Sequence, residues 1–156
     1  MKQGKYFDDI EAAMKPGVIT INGFLGNDTR KLSEIIEADN ALVCKLGLSH
    51  EKIADRMKEF IEAGKKGLGL SEVAYKGYFT INIDVAMGKL PCPFLHPGRF
   101  PKLIATITNN RIHRRIQFSE LSVHMIREHG FYGGIGSLYR CEPKTIAEVL
   151  ELQPEI

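Results

Sequence analysis

Apolar residues recur at helical spacing in the first third of the chain and at alternating spacing after it. Leu32, Ile35, Ile36, Leu42, Val43 and Leu46 follow the steps of one helical face, and Ile53, Met57, Phe60 and Ile61 repeat the pattern a few residues on. Asp28 or Thr29 is placed to cap the first helix and Gly47 to stop it, while Ser49 caps the second and Gly64 ends it. Gly47 and Leu48 alone separate them, so the two helices are expected to pack as neighbours. Ahead of them, residues 6–15 predict a short helix ended by Pro16-Gly17, and residues 18–21 a strand ended by Asn22-Gly23.

From Val73 the period changes to two. Val73, Tyr75, Phe79, Ile81, Ile83 and Val85 alternate with polar residues, which predicts one long strand with a buried face, broken or bulged at Gly77. Residues 88–101 hold four prolines and two glycines, which predicts an irregular loop. Residues 103–108 and 111–118 then read as a hairpin turning tightly at Asn109-Asn110. That register sets Thr108 against Arg111, Ile107 against Ile112 and Ala105 against Arg114, placing Arg114 on the apolar face. Ser119 caps a helix that runs to His129 before Gly130, and residues 144–152 form a last one carrying Ile146, Val149 and Leu150.

Helices, then antiparallel strands, then helices describe a single α+β domain over residues 1–156, with a mainly antiparallel sheet covered by helices on one face. The length of 156 residues and the 44% hydrophobic content suit one ordinary globular domain. No apolar run is long enough for a membrane span, and Asp8, Asp9 and Glu11 interrupt any apolar leader, so the expected location is cytoplasmic and no membrane partner is expected. Three cysteines without a CxxC pair do not form a disulfide framework.

The net charge of +2 is unevenly spread: residues 65–140 hold 11 basic and 4 acidic side chains, while residues 1–64 hold 9 and 11. A basic middle suggests a local anion site, or neutralisation between packed segments. Asp39 and Arg114 both fall on apolar faces, where an unpaired charge is costly, so they are expected to pair with each other, or Arg114 to hold an anion. Residues 131–140 add Gly134, Gly136, Ser137 and Arg140, a glycine-rich loop and a forked cation that together could cradle phosphate or carboxylate. His129, at the carbonyl end of its helix, is expected to be a proton donor or acceptor near working pH, with Cys92, the thiol placed on a loop, as nucleophile or ligand. The resulting expectation is a small anionic ligand, with hydrolysis or isomerisation as the chemistry if the chain is an enzyme.

Two other classes stay open. One is a noncatalytic regulatory or scaffold domain that contacts a protein partner or nucleic acid. The nucleic-acid side is disfavoured, because Lys76-Gly77-Tyr78-Phe79 lacks the further aromatics of an RNA-binding sheet and the basic strand face carries no stacking rings. The other is a zinc-stabilised module using Cys92, His96, His124 and Cys141, since thiolates and imidazoles are zinc ligands. His129 stands outside that set, because it lies five residues from His124, about 140° around an ideal helix. Cys44, near the apolar stripe of its helix, is expected to pack inward.

Overall fold

A computed structural model describes residues 3–154, which form five helices and a four-stranded antiparallel sheet in the order β1-β2-β3-β4. The strands are β1 (Val73–Tyr75), β2 (Phe79–Pro91), β3 (Arg99–Asn109) and β4 (Arg114–Ser119). The helices are α1 (Lys5–Ala13), α2 (Leu32–Lys45), α3 (His50–Gly64), α4 (Glu120–His129) and α5 (Pro143–Val149), and helices pack against the sheet as the α+β reading anticipates.

Local chemistry sets most of the boundaries. Ser49 Oγ accepts the Lys52 N–H and opens α3, and Ser119 Oγ accepts the Ser122 N–H and opens α4. Gly130, at φ +63°, closes α4 in the left-handed conformation. The entrance of α2 differs from expectation. It starts at Leu32, because the Asp28 carboxylate is taken by Arg30 and by the Ile135 N–H instead of capping a helix.

The alternating run from Val73 is two strands, since Lys76 and Gly77 both have positive φ and turn the chain so that Tyr75 pairs with Phe79. β2 and β3 reach further into the proline-rich segment than its composition suggests, leaving Cys92–Gly98 as the connecting loop. Residues 18–21 form no strand, only turns and bends.

The β3–β4 register is also shifted from the tight-turn reading. Ile107 pairs with Ile116 and Asn109 with Arg114, because Asn110 to His113 form a four-residue turn. Asn109 holds that turn: it is fully buried, its Oδ1 accepts the Arg111 N–H, and its Nδ2 donates to the Val149 carbonyl. Arg114 therefore sits past the end of the apolar face, exposed, and pairs with Glu148.

Apolar burial divides into two clusters with α4 between them. Phe60, Ile61, Ile81, Ile107 and Phe118 fill the space between α3 and the sheet, and Val123 and Ile126 of α4 join them. Ile10, Met14, Leu32, Ile35, Cys92, Phe94 and Phe131 form the second cluster, joined by Leu121 and Met125 from the opposite side of α4. Among the described residues no helix is long and apolar enough to cross a membrane. Cys44 is exposed, away from both clusters.

Candidate metal centre

The second cluster carries polar groups at its edge. Cys92 and Phe94 enter it from the loop that joins β2 to β3, and the loop folds back over the Leu121 and Met125 stripe of α4. A left-handed Leu95 (φ +62°) gives the loop its sharp reversal, with the Leu95 N–H on the Cys92 carbonyl.

That reversal brings the Cys92 thiol between His124 and His129. One donor atom from each of the three residues lies within 4.8 Å of the other two. Phe94 stacks flat on the His129 ring, with centroids 4.2 Å apart, and Phe100 tilts against His124 at 4.3 Å. The His96 ring closes the group from the solvent side, with centroids 4.7 Å from His124 and 5.5 Å from His129. Its Nδ1 is 3.1 Å from the Pro97 carbonyl oxygen, which leaves Nε2 as the nitrogen free to act as a ligand.

Cys92, His124 and His129 are each shifted toward their neutral forms. Burial pulls the His129 imidazole down to about 4, helped by the neighbouring His124 and His96, with Glu128 opposing. His124 is lowered for the same reasons. Burial pushes the Cys92 thiol up, opposed by the backbone amides of Phe94 and His96. Desolvation and the neighbouring imidazoles thus disfavour the charged form that a helix carbonyl end by itself would favour. An imidazole held neutral down to about pH 4 is not tuned to exchange protons at neutral pH.

The Nε2 atoms of His124 and His129 are buried and have no hydrogen-bond partner. A buried polar atom left unsatisfied costs about 1–3 kcal/mol, so two in one place, facing a cysteine, call for an explanation.

The structure regroups the expected ligands. Cys92 and His124 are in the centre, with His96 beside it; His129 joins them and Cys141 does not. The Cys141 thiol is buried in the first cluster, 3.2 Å from the Gln117 carbonyl, and burial raises it to about 11. An ideal helical wheel separates His129 from His124 by about 140°. The two in fact straddle the Leu121 and Met125 stripe, and each imidazole is long enough to lean across it toward the loop.

The expected anion site has a different structure. Asp39 pairs with Arg140, not Arg114, through bonds of 2.8 and 2.9 Å, and both side chains are under one-tenth exposed. Arg140 also donates to Glu142 twice and to the Gly133 carbonyl, so all five of its N–H donors are committed and none remains for an external anion.

The glycine-rich loop is likewise satisfied from within. The Gly134 N–H donates to the Phe24 carbonyl, the Ser137 N–H to Gly134, and the Ile135 N–H to the carboxylate of Asp28. A Cβ on Gly134 would stand 2.1 Å from the Leu25 carbonyl oxygen, and one on Gly136 would stand 2.5 Å from Asn27 Oδ1. The glycines permit loop-on-loop packing, and the anion the loop receives is the protein's own Asp28.

One polar group was not anticipated. His50 bridges the Tyr132 hydroxyl (2.8 Å) and Asn40 Oδ1 (3.0 Å), tying α3 to α2 and to the segment after α4. Both ring nitrogens are thereby occupied, in contrast to those of His124 and His129.

Nothing among protein-family models, curated proteins or solved structures matches this chain.

Proposed function

We propose that this chain is a zinc-binding module, with the ion held by Cys92, His124 and His129 and with His96 as fourth ligand. The observation that carries the reading is the pair of buried, partnerless imidazole nitrogens of His124 and His129 around the Cys92 sulfur. Neutral imidazoles and a thiol without a nearby cation are a sound zinc donor set, and binding requires only the loss of the Cys92 proton. Four nitrogen and sulfur donors with no open position describe a structural centre, in which the ion clamps the β2–β3 loop to the end of α4.

Metal analysis of the purified chain tests this. The expected result is one zinc per chain, removed by a chelator with a fall in melting temperature, and absent from Cys92→Ala and His129→Ala. Zinc-free protein that neither takes up zinc nor responds to the chelator would overturn the reading.

A second reading rests on His96, which is exposed and bonds the Pro97 carbonyl. With His96 turned away, three protein ligands and a water make an open centre of the kind that activates water for hydrolysis. Substitution of His96 separates the two. A structural centre loses zinc affinity in His96→Ala, whereas an open centre keeps its zinc.

A further inference from the structure

A cleft of about 400 Å³ opens between the 19–24 segment, the inner ends of β2 and β3, the first half of α4 and the 131–139 loop. It is separate from the metal centre, as none of Cys92, His96, His124 and His129 lines it. Its walls are chiefly apolar and include Leu90, Ile104, Leu121, Met125 and Phe131. Ile21 (88% exposed) and Leu138 (62% exposed) also line it and leave much of their apolar surface open to solvent. The volume falls within the range of small-molecule sites, and the character is theirs too, a mainly apolar wall with few polar groups.

The charge of the lining has one sign. Lys102 is its single ionisable cation, no carboxylate lines the cleft, and Lys102 forms no ion pair among the described residues. Other exposed basic residues are also without ion pairs; what marks Lys102 is its place at the edge of an apolar cleft whose lining holds no carboxylate to neutralise it. The Tyr139 hydroxyl, also in the lining, makes no hydrogen bond among the described residues. The Lys102 chain runs beside Gly88, whose Cβ position lies 3.7 Å from Lys102 Cε and 3.8 Å from its Nζ.

We infer that the cleft binds a small amphipathic carboxylate, with its acyl or aryl body against the apolar wall and its carboxylate on Lys102 and Tyr139. The apolar body supplies affinity through burial and the lysine selects the charged headgroup.

The test is titration of the full chain as purified with decanoate and with decan-1-ol, followed by amide chemical shifts. Decanoate is expected to give saturable shifts at Leu90, Ile104, Ser122 and Tyr139, and decan-1-ol to bind more weakly. Lys102→Met is expected to weaken decanoate about tenfold and leave decan-1-ol unchanged, and Ala86→Trp, at an exposed position in the lining, to remove both. A melting curve for each variant checks that the fold is intact. The proposal is overturned by an absence of saturable shifts into the millimolar range, by equal affinity for the acid and the alcohol, or by shifts that persist in Ala86→Trp.

Discussion

His124 and His129 stand five residues apart on α4, and their rings meet edge to face, with centroids 5.4 Å apart, beside the sulfur of Cys92. A helix alone does not bring such a pair together. The loop folded over the stripe between them does, by giving both rings a common side on which to lean. If a zinc ion occupies this point, it joins the β2–β3 loop to α4 beside the contacts that Phe94 and Phe100 make with the two rings.

Zinc binding is therefore expected to stabilise the fold measurably. At free zinc 1,000 times the Kd, linkage gives about 4 kcal/mol. At this chain length that corresponds to a melting temperature roughly 8–16 °C above the chelated protein, read by calorimetry. Because the Cys92 thiol is pushed up while both imidazoles are held neutral, binding at pH 7 is expected to release about one proton, seen with an indicator dye, and to weaken as pH falls. A change in melting temperature under about 2 °C would speak against the clamp.

The Asp39–Arg140 pair fixes α2 to the chain leading into α5. Arg140→Met strands a buried carboxylate and is expected to cost about 3–5 kcal/mol in urea unfolding. The double variant Asp39→Leu/Arg140→Met is expected to recover most of it, since it leaves no unpaired charge at Asp39. A loss for the single variant below about 1 kcal/mol would show that the pair is not a buried tie.

Asp28 contributes to the pH dependence of stability. Arg30, bonded to its carboxylate, holds the group well below the usual carboxylate range, with the Ile135 and Arg30 amides adding to the effect. A carboxylate depressed in the folded state contributes stability that is full above the unfolded value of about 4 and is lost as pH falls below it. Asp28→Asn is expected to flatten the acid limb of the stability curve below about pH 4 and to cost about 1–3 kcal/mol at neutral pH. An unchanged acid limb would remove Asp28 from this role.

Gly134 is the tightest approach in the loop pair. Its Cβ position falls 2.1 Å from a backbone oxygen, which a side chain cannot move aside. Gly134→Ala is expected to destabilise by about 1–3 kcal/mol or more, with amide exchange accelerated in both the 24–28 and 133–137 segments. Gly4→Ala, where φ is −74° and no atom lies within 4 Å of the Cβ position, serves as a control for adding a methyl without a clash.

Much of the fold was legible from pattern and punctuation. The helical stripes, the capping serines 49 and 119, and the glycines 47 and 130 act within a few residues, so sequence alone can show them. The β3–β4 register was not, because Asn109-Asn110 suits a tight turn as well as the four-residue one, and the choice rests on a bond from Asn109 to the distant Val149 carbonyl. Asp39 was rightly marked as a charge on an apolar stripe, but its partner comes from Arg140, 101 residues away, which no local rule supplies. The same limit governed the cluster of Cys92, His124 and His129. Cys92, His96 and His124 were recognisable as donors, and His129 was excluded by a wheel that treats side chains as radial spokes. The position of the loop, which decides the matter, is a tertiary fact.

The most direct test is a crystal structure of the zinc-loaded chain with anomalous data at the zinc edge. The account predicts one peak about 2.3 Å from Cys92 Sγ and about 2.0–2.1 Å from a ring nitrogen of His124, His129 and His96. A map with no peak at this point, or zinc bound elsewhere with Cys92 and the two helix histidines still unliganded, would contradict it.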